Sequence, residues 1–246
     1  MIQKSKVILS GFEPFTTIDY PGKISCVVFL QGCNLDCAYC SNPETNLIVS
    51  KDDYVEQFKK NWDSVLSKIN DRKNFLDAVV FSGGEALVQV DELLTAIDEV
   101  KDINPDFKIG LHTNGVLPEN LKKIIDKVDW VGLDIKTSEK KYHELSCNKK
   151  SNHFNDIRSS LEVLIQANKK FEVRTTCYPK YVNKYDVLEI ANMCNDMGVS
   201  HYALQKYITV SDSDMEPTDR EINSFFIDDD FLDKLKEFNF ELILRK

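Results

Sequence analysis

Short apolar runs alternate with amphipathic stretches along most of the chain. The apolar runs are rich in Val, Ile and Phe, and several of them end in Gly, Asn or Thr, which is typical of buried strands. They cover residues 24–32, 77–84, 108–115, 130–136, 171–177 and 201–207. The stretches between them repeat apolar residues at helical spacing. These predicted helices cover residues 54–70, 90–103, 118–128, 155–170 and 184–197.

Six successive strand–helix units predict a parallel sheet with helical crossovers. Six units are too few for a closed eight-stranded barrel, which also tends to be longer. We therefore predict an α/β fold, a partial, open (β/α)6 TIM-like barrel in a single domain over residues 1–246. Its core spans about residues 20–210, and residues 211–246 form a peripheral tail with one or two short helices and a last apolar run. A flat, doubly wound sheet is the alternative.

Glycine-rich and polar segments follow several of the predicted strands. The segments QGC, SGGE, HTNG and DIK all lie where a strand ends. In both candidate folds, ligands bind at the carboxyl ends of the parallel strands. We therefore expect the functional residues to gather at that edge of the sheet.

Composition and charge narrow the choice of partners. The chain has 246 residues, of which 42% are hydrophobic, and a formal net charge of −9. An acidic balance argues against a nucleic-acid partner or an anionic membrane surface. We see no secretory leader and no run of 18 apolar residues, so we expect no export and no membrane span. Seven cysteines, an odd number, favour metal binding in a reducing, cytoplasmic setting over a disulfide framework.

Three of the cysteines, Cys33, Cys37 and Cys40, lie in a C-x3-C-x2-C pattern after the first predicted strand. Thiolates bind soft metals and iron–sulfur clusters. A structural zinc site usually takes a second C-x2-C pair, which the chain lacks. A [4Fe–4S] cluster with three thiolate ligands and one open iron is the other interpretation.

The remaining cysteines differ in their fitness as a fourth ligand. Cys26 precedes Cys33 by seven residues along a predicted strand, which places it about 20 Å away. Cys194 lies within an apolar helix, and Cys147 lies in a polar loop that cannot be placed. Cys177 ends a strand at the correct edge and is the one plausible addition.

The cysteine pattern, with Tyr39 just before the last cysteine, resembles the signature of the radical S-adenosylmethionine superfamily. The segment FTTIDYPGKISCVVFLQGCNLDCAYCSNPE is similar to the opening of glycyl-radical-enzyme activases. Its DYPGK portion, residues 19–23, most resembles the activating proteins of anaerobic ribonucleotide reductase, whereas pyruvate formate-lyase activases more often carry a glycine where Tyr20 stands. Similar segments extend over residues 12–207, and the cysteine pattern is the most specific of them.

The resemblance implies a [4Fe–4S] cluster on Cys33, Cys37 and Cys40, with the amino and carboxylate groups of S-adenosylmethionine on the open iron. The missing fourth ligand is then the cofactor itself. By the same resemblance, the residues that bind this cofactor are Tyr39, Gly83, Gly84, Glu85, Thr113, Asn114, Asp134 and Lys136. Secondary candidates are Asn42, His112, Arg174 and Gln205.

The same residue types have ordinary structural interpretations. Gly83 and Gly84 let a backbone approach a ligand with its N–H and C=O groups free, or they form a tight turn. Thr113 and Asn114 suit a ribose or a carboxylate, or they cap a turn.

Charged groups at the later strand ends also have two interpretations. Asp134 and Lys136 share one strand face, where they pair with each other or meet the cofactor. Arg174 is expected to neutralise Glu85 or another acidic group, because a buried arginine is rarely unpaired. Gln205 is expected to face the cavity.

His112 departs from the pattern of the family. Similar activases often carry an aspartate at this position, which can help to hold a monovalent cation. His112 therefore puts that cation in doubt for this chain. A lone histidine is usually a satisfied structural group, so we assign it no catalytic role.

The implied enzyme is an oxidoreductase that reductively cleaves S-adenosylmethionine to a 5′-deoxyadenosyl radical, which removes hydrogen from a glycine of a partner protein. The partner is a glycyl radical enzyme, expected to be anaerobic ribonucleotide reductase, and a flavodoxin- or ferredoxin-type protein supplies the electron. Three alternatives stay open. They are radical chemistry on a small molecule, as in 7-carboxy-7-deazaguanine synthases, a non-enzymatic iron–sulfur electron carrier, and a structural zinc module.

Overall fold

The computed structural model describes residues 4–48, 62–145, 153–209 and 216–246. The strands are β1 Leu9–Thr16, β2 Ser25–Leu30, β3 Ala78–Gly83, β4 Lys108–Thr113, β5 Trp130–Asp134, β6 Lys170–Cys177, β7 His201–Lys206 and β8 Glu241–Arg245. The helices are α1 Trp62–Asp71, α2 Val90–Ile103, α3 Pro118–Ile124, α4 Tyr142–Leu145, α5 His153–Gln166, α6 Lys184–Asp196, α7 Asp219–Asn223 and α8 Asp229–Lys236. Short 3-10 turns cover Pro43–Thr45, Ala86–Gln89, Ile125–Lys127 and Glu139–Lys141.

One eight-stranded sheet forms the centre of the fold, and its strands follow one another in chain order from β1 to β8. The strands β2 to β8 pair in parallel, and β1 pairs antiparallel with β2. Right-handed crossovers that always advance in one direction place their helices on one face of the sheet. A doubly wound sheet needs a reversal of strand order, so that alternative was wrong, and the open barrel is confirmed. Within the described residues, β1 and β8 do not pair, and the barrel is not closed.

Two strands at the edges were not predicted. The segment of β1, LSGFEPFT, contains Gly, Glu and Pro and lacks a continuous apolar run, because it lies at the antiparallel edge and is only partly buried. The apolar run ELILR was assigned to a peripheral tail, but it pairs with β7 as the other edge strand, β8. The two short helices expected in that tail are α7 and α8.

The predicted helices are present, with shifted ends. The helix predicted over 118–128 ends at Ile124 and continues as a 3-10 turn, and the one predicted over 155–170 ends at Gln166 because β6 begins at Lys170. Only Trp62–Asp71 is described of the first predicted helix, so residues 54–61 of that prediction lie outside the described residues. No helix in the described parts of the chain is long and apolar enough to cross a lipid bilayer.

The two faces of the sheet contribute to different cores. Helix α2 buries Leu93, Ala96, Ile97 and Val100, spaced as one helical face, and these belong to the large core that also contains Val79 of β3. The next strand residue, Val80, points into the barrel and packs with Tyr20 and Trp130 in a smaller cluster. Tyr20 comes from the β1–β2 loop, so this loop fills the amino-terminal end of the barrel and leaves the carboxyl ends of the strands to form a site.

Candidate functional site

A cavity lies at the carboxyl ends of strands β3 to β6 and beneath the loop that follows β2. Its lining residues are Cys33, Leu35, Cys37, Tyr39, Cys40, Ser41, Asn42, Thr45, Asn46, Ser82, Gly83, Gly84, His112, Thr113, Asn114, Asp134, Lys136, Arg174 and Thr176. The predicted strand-end segments therefore come together in one place. Glu85 does not line the cavity and lies directly behind it.

The cysteine loop is fixed to the sheet by its own backbone. The N–H of Gly32 donates to the Thr45 carbonyl at 2.8 Å, and the N–H of Cys33 donates to the Asn46 carbonyl at 3.2 Å. These bonds close the loop with the 3-10 turn Pro43–Thr45. A tight turn joins Cys37 and Cys40, since the Cys40 N–H donates to the Cys37 carbonyl at 3.1 Å. The three thiols are therefore held on one short loop that faces the cavity.

The donor set at this loop fits an iron–sulfur cluster. Burial raises the pKa of the Cys33 thiol to about 12 and also raises the pKa of Cys37, so a bound cation is needed to stabilise their thiolates. Within the described residues, no three His, Cys, Asp or Glu side chains converge closely enough to hold a single ion. In a cluster, by contrast, each thiolate binds a separate iron. Three thiols on one loop beside a cavity, with no second C-x2-C pair in the chain, therefore suit a cluster better than a structural zinc ion.

None of the other described cysteines lies at this site as a fourth protein ligand. Cys177 was the plausible addition, but its side chain is fully buried in the core between the sheet and the helices. Its neighbour Thr176 faces the cavity instead, because successive strand residues point to opposite faces. Cys26 and Cys194 are also fully buried in that core. Cys147 lies outside the described residues.

Gly83 and Gly84 bring the turn after β3 against the cysteine loop. A Cβ atom on Gly83 would lie 2.1 Å from the Leu30 carbonyl oxygen, and one on Gly84 would lie 2.5 Å from that of Gly32. The Gly84 N–H donates to the Leu30 carbonyl, and the Glu85 N–H donates to the Gly32 carbonyl. We expected the backbone N–H groups of the two glycines to stay free for a ligand. This was wrong for Gly84, because its N–H group is bonded to Leu30 and helps to hold the two loops together.

Glu85 is buried and links two strand ends. Its carboxylate accepts hydrogen bonds from the N–H of Leu87 at 3.1 Å, the hydroxyl of Thr113 at 2.9 Å and the N–H of Asn114 at 2.7 Å. Burial raises the pKa of Glu85 to about 7, although these three donors oppose the shift. Arg174 does not pair with this carboxylate, because its guanidinium is bound to Asp134.

Asn114 connects this network to the cysteine loop. Its side-chain amide donates to the Asn34 side-chain oxygen at 3.0 Å and lies 4.0 Å from the Cys33 sulfur. Its side-chain oxygen accepts from the Val116 N–H, and the Thr113 hydroxyl accepts from the Gly115 N–H. Both residues thus cap the turn after β4, as the structural interpretation expected, and both also line the cavity.

Asp134, Lys136 and Arg174 form one charged group at the ends of β5 and β6. Arg174 Nε lies 2.7 Å from Asp134 Oδ1, and Lys136 Nζ lies 3.5 Å from Asp134 Oδ2. Burial opposes ionisation of Asp134, but the two cations outweigh it and lower its pKa to about 2. Arg174 neutralises an acidic group as expected, and that group is Asp134.

Tyr39 anchors the cysteine loop to the end of β5. It is buried, its hydroxyl donates to the Lys136 carbonyl at 3.1 Å, and its ring stacks on Tyr178 at 4.9 Å. Tyr181 and Tyr207 complete the aromatic cluster around it. The contacts show a positioning role for this ring beside the cavity.

His112 is a neutral donor at the floor of the cavity. A carbonyl oxygen only accepts, so the 2.9 Å contact between His112 Nε2 and the Asp19 carbonyl places the proton on Nε2. Burial, helped by the charge of Arg174, lowers the pKa of His112 to about 3. The ring therefore stays uncharged at neutral pH.

The two remaining candidates have different placements. Asn42 lines the cavity and begins the 3-10 turn that closes the cysteine loop. Gln205 pairs in register with Thr176 and faces the same side of the sheet, but it does not line the cavity, which ends at β6. Its role at the site stays a prediction.

Several lining residues were not predicted. Thr176 lies two positions after Arg174 and Ser82 lies just before the two glycines, so period-2 alternation from the chosen residues would have identified both. Asn46 accepts a hydrogen bond from the Cys40 thiol at 3.6 Å, and no sequence signal marks it.

The fold and the site together define an iron–sulfur enzyme class built on an open α/β barrel. The family model of the Radical SAM superfamily matches residues 27–194. A Methanocaldococcus jannaschii protein, provisionally named as a glycyl-radical enzyme activating enzyme, is 32% identical over 82% of this chain and 80% of its own length. The pyruvate formate-lyase-activating enzyme of Clostridium pasteurianum is 31% identical over 63% of each chain.

The chain therefore belongs to the radical SAM superfamily and, within it, to the glycyl-radical-enzyme activase family. This family uses a [4Fe–4S] cluster and S-adenosylmethionine. The structure of Streptococcus suis SuiB bound to S-adenosylmethionine shares the fold, with a TM-score of 0.59 and 18% identity. That match covers 88% of this chain and 48% of the SuiB chain, so this chain spans about half the length of SuiB.

Proposed function

We propose that the chain activates a glycyl radical enzyme, with a [4Fe–4S] cluster on Cys33, Cys37 and Cys40 and S-adenosylmethionine at the adjoining cavity. The observation that carries the proposal is the meeting of the three-cysteine loop with the SGGE, HTN and DIK segments at one edge of an open barrel. When bound and reduced, the cluster supplies one electron that cleaves the C5′–S bond of S-adenosylmethionine to methionine and a 5′-deoxyadenosyl radical.

The chain's own residues bind and orient the cofactor. Lys136 presents an ammonium group in the cavity, which suits the carboxylate of S-adenosylmethionine. Gly83 and Gly84 line the cavity and suit its amino group. The Glu85 carboxylate lies behind this turn and ties it to the end of β4 through Thr113 and Asn114. The polar ends of Thr113 and Asn114 suit the ribose. Tyr39 holds the cysteine loop over these groups.

The substrate we propose is the Cα–H of one glycine in a partner protein. Among the described residues, β1 and β8 do not pair with each other, so the side of the barrel is open there and gives a polypeptide segment a way to reach the cavity. We favour anaerobic ribonucleotide reductase as the partner. The DYPGK segment supports this choice, since it carries Tyr20 where pyruvate formate-lyase activases more often carry a glycine. We propose a flavodoxin- or ferredoxin-type protein as the electron donor.

The test compares partners in one assay. The reconstituted protein is reduced without oxygen and incubated with S-adenosylmethionine and either anaerobic ribonucleotide reductase or pyruvate formate-lyase. We expect 5′-deoxyadenosine and a glycyl radical signal with the reductase, and neither product with the Cys37→Ala variant. A glycyl radical on pyruvate formate-lyase and none on the reductase would identify pyruvate formate-lyase as the partner instead. Formation of 5′-deoxyadenosine with a pterin substrate, and with neither partner protein, would favour the small-molecule alternative.

A further inference from the structure

Arg174 is a buried cation that stands at the wall of the cavity before any ligand is bound. Its side chain is 8% exposed, and its Nε donates to Asp134 Oδ1 at 2.7 Å. Charge-assisted bonds of this length are among the strong ones in proteins. Asp134 and Arg174 are also register partners on neighbouring strands. The negative charge of Asp134 is therefore already balanced by a cation of the protein itself.

Gly132 lacks a side chain, and the Arg174 guanidinium occupies the space that a side chain would fill. A Cβ atom on Gly132 would lie 2.7 Å from Cζ and from Nη1 of Arg174. Arg174 Nη2 also donates to the Gly132 carbonyl at 3.4 Å. Glycine weakens the middle of a strand and often marks a site where another group approaches closely. In β5 that group is Arg174, so a side chain at position 132 would push the guanidinium out of its present place.

Lys136 is held more loosely by the same carboxylate. Its Nζ lies 3.5 Å from Asp134 Oδ2, compared with 2.7 Å for Arg174 at the other oxygen. Because Arg174 already neutralises Asp134, the ammonium of Lys136 can turn toward an anionic ligand at small cost. Without Arg174, Lys136 would remain as the cation in contact with Asp134 among the described residues and would be bound to it.

A monovalent cation, which the family resemblance implies beside position 112, does not fit these donors. His112 is uncharged and uses its Nε2–H on the Asp19 carbonyl. Each oxygen of Asp134 already faces a cation of the protein. A further cation placed here would meet the like charges of Lys136 and of the buried Arg174 at short range.

We propose that Arg174, seated on Gly132, is a built-in counter-cation that replaces an alkali-metal ion in this site and frees Lys136 to bind the carboxylate of S-adenosylmethionine. Arg174 is thus a positioning residue that acts through Asp134 and Lys136. This inference rests on the proposed cofactor site.

The first test needs no variant. The dissociation constant of S-adenosylmethionine is measured by calorimetry on the reconstituted protein in potassium, sodium, lithium and tetramethylammonium buffers of equal ionic strength. We expect these four values to agree within about twofold, because each salt then acts only by screening charges, and screening depends on ionic strength rather than on the kind of cation. A loss of about tenfold or more on removal of potassium and sodium would overturn the inference.

Variants at the proposed position supply the second test. Arg174→Gln removes the charge, and we expect it to weaken cofactor binding about tenfold and to make the affinity depend on potassium or sodium. Gly132→Ala should do the same by displacing the guanidinium. Arg174→Lys should retain most of the affinity and its independence from alkali ions. Wild-type affinity and cation independence in Arg174→Gln would overturn the inference.

Arg245→Gln is the matched control. Arg245 forms a two-point ion pair with the buried Glu172, with contacts of 2.6 and 2.8 Å, and neither residue lines the cavity. This variant also breaks an arginine–carboxylate pair, in which the carboxylate is buried, so it should lower the melting temperature without changing cofactor affinity. Equal loss of affinity in both variants would mean that Arg174 is merely structural and would overturn the inference. An absence of binding in every buffer would overturn the proposed function as well, whereas binding that requires an alkali ion would overturn this inference alone.

Discussion

The backbone of Gly84 lies against the carbonyl of Gly32, so close that a methyl group on Gly84 would lie 2.5 Å from that oxygen. The same methyl group would lie 2.8 Å from the Thr45 carbonyl oxygen. Both neighbours are backbone atoms at the base of the cysteine loop, which cannot move aside as a flexible side chain does. The packing of these two glycines therefore sets the distance between the cysteine loop and β3.

Gly84→Ala should separate the two loops. We expect a loss of about 1–3 kcal/mol in unfolding free energy from the overpacked contact, together with reduced iron content after reconstitution. Iron analysis and thermal unfolding measure the two effects. Gly198→Ala is the control, since its Cβ would meet no atom within 4 Å and adds only the strain of a positive φ. Wild-type iron content in Gly84→Ala would contradict this view of the packing.

The three loop cysteines should be individually essential for the cluster. Cys33→Ala, Cys37→Ala and Cys40→Ala each remove one thiolate, and we expect each variant to lose the iron and sulfide of the reconstituted protein. Cys177→Ala should keep both, because that thiol lies in the core and away from the cavity. It should cost about 1–2 kcal/mol as a small cavity. Full iron content in any of the three loop variants would disprove the ligand assignment.

Glu85 should make the stability of the cluster-free protein depend on pH. Its pKa is about 7 in the folded protein, against 4.5 for an ordinary glutamate, because it is buried. The folded state therefore holds the proton more tightly, so the stabilisation is complete below about pH 4.5 and is lost as pH rises to about 7. The loss is on the order of a few kcal/mol.

The measurement for Glu85 is a difference. Thermal unfolding of the wild type and of Glu85→Gln is compared from pH 4.5 to pH 7.5, so that contributions from other groups cancel. We expect the stability of the wild type relative to the variant to fall across this range. A difference that does not change with pH would show that Glu85 is ionised at the same pH in both states.

His112 should stay neutral at every pH at which the protein is used. Its pKa is lowered to about 3 by burial and by Arg174, so the ring should show no titration between pH 5.5 and pH 8. Nuclear magnetic resonance of the histidine rings tests this, and His112→Asn assigns the resonance by removing it. A midpoint near pH 6.5 would mean that the ring is solvated and that its bond to Asp19 is not formed.

The central strands and the location of the site could be predicted because their causes are local. Buried parallel strands appear as continuous apolar runs, and the polar segments that follow them must meet at one edge of the sheet. The edge strands could not be predicted in this way. Strand β1 lacks a continuous apolar run, and the place of β8 depends on pairing with β7 rather than on its own sequence.

Side-chain partnerships were the least predictable part of the site. Arg174 was expected near Glu85 or another acid, and the choice of Asp134 follows from the register of β5 and β6. Gly132 leaves room for the Arg174 side chain through a close contact between two strands, and neither strand's sequence alone predicts that contact. Tyr39 likewise packs on Tyr178 and Tyr207, which are more than a hundred residues away in the chain.

The central claim is that the three-cysteine loop holds a [4Fe–4S] cluster whose open iron binds S-adenosylmethionine. Electron paramagnetic resonance of the reconstituted, reduced protein tests it most directly, with spectra recorded before and after S-adenosylmethionine is added. We expect a [4Fe–4S]+ signal whose shape changes on addition. A cluster signal that ignores the cofactor would contradict the claim and point to an electron carrier, and a protein that takes up zinc but no iron would return the site to a structural role.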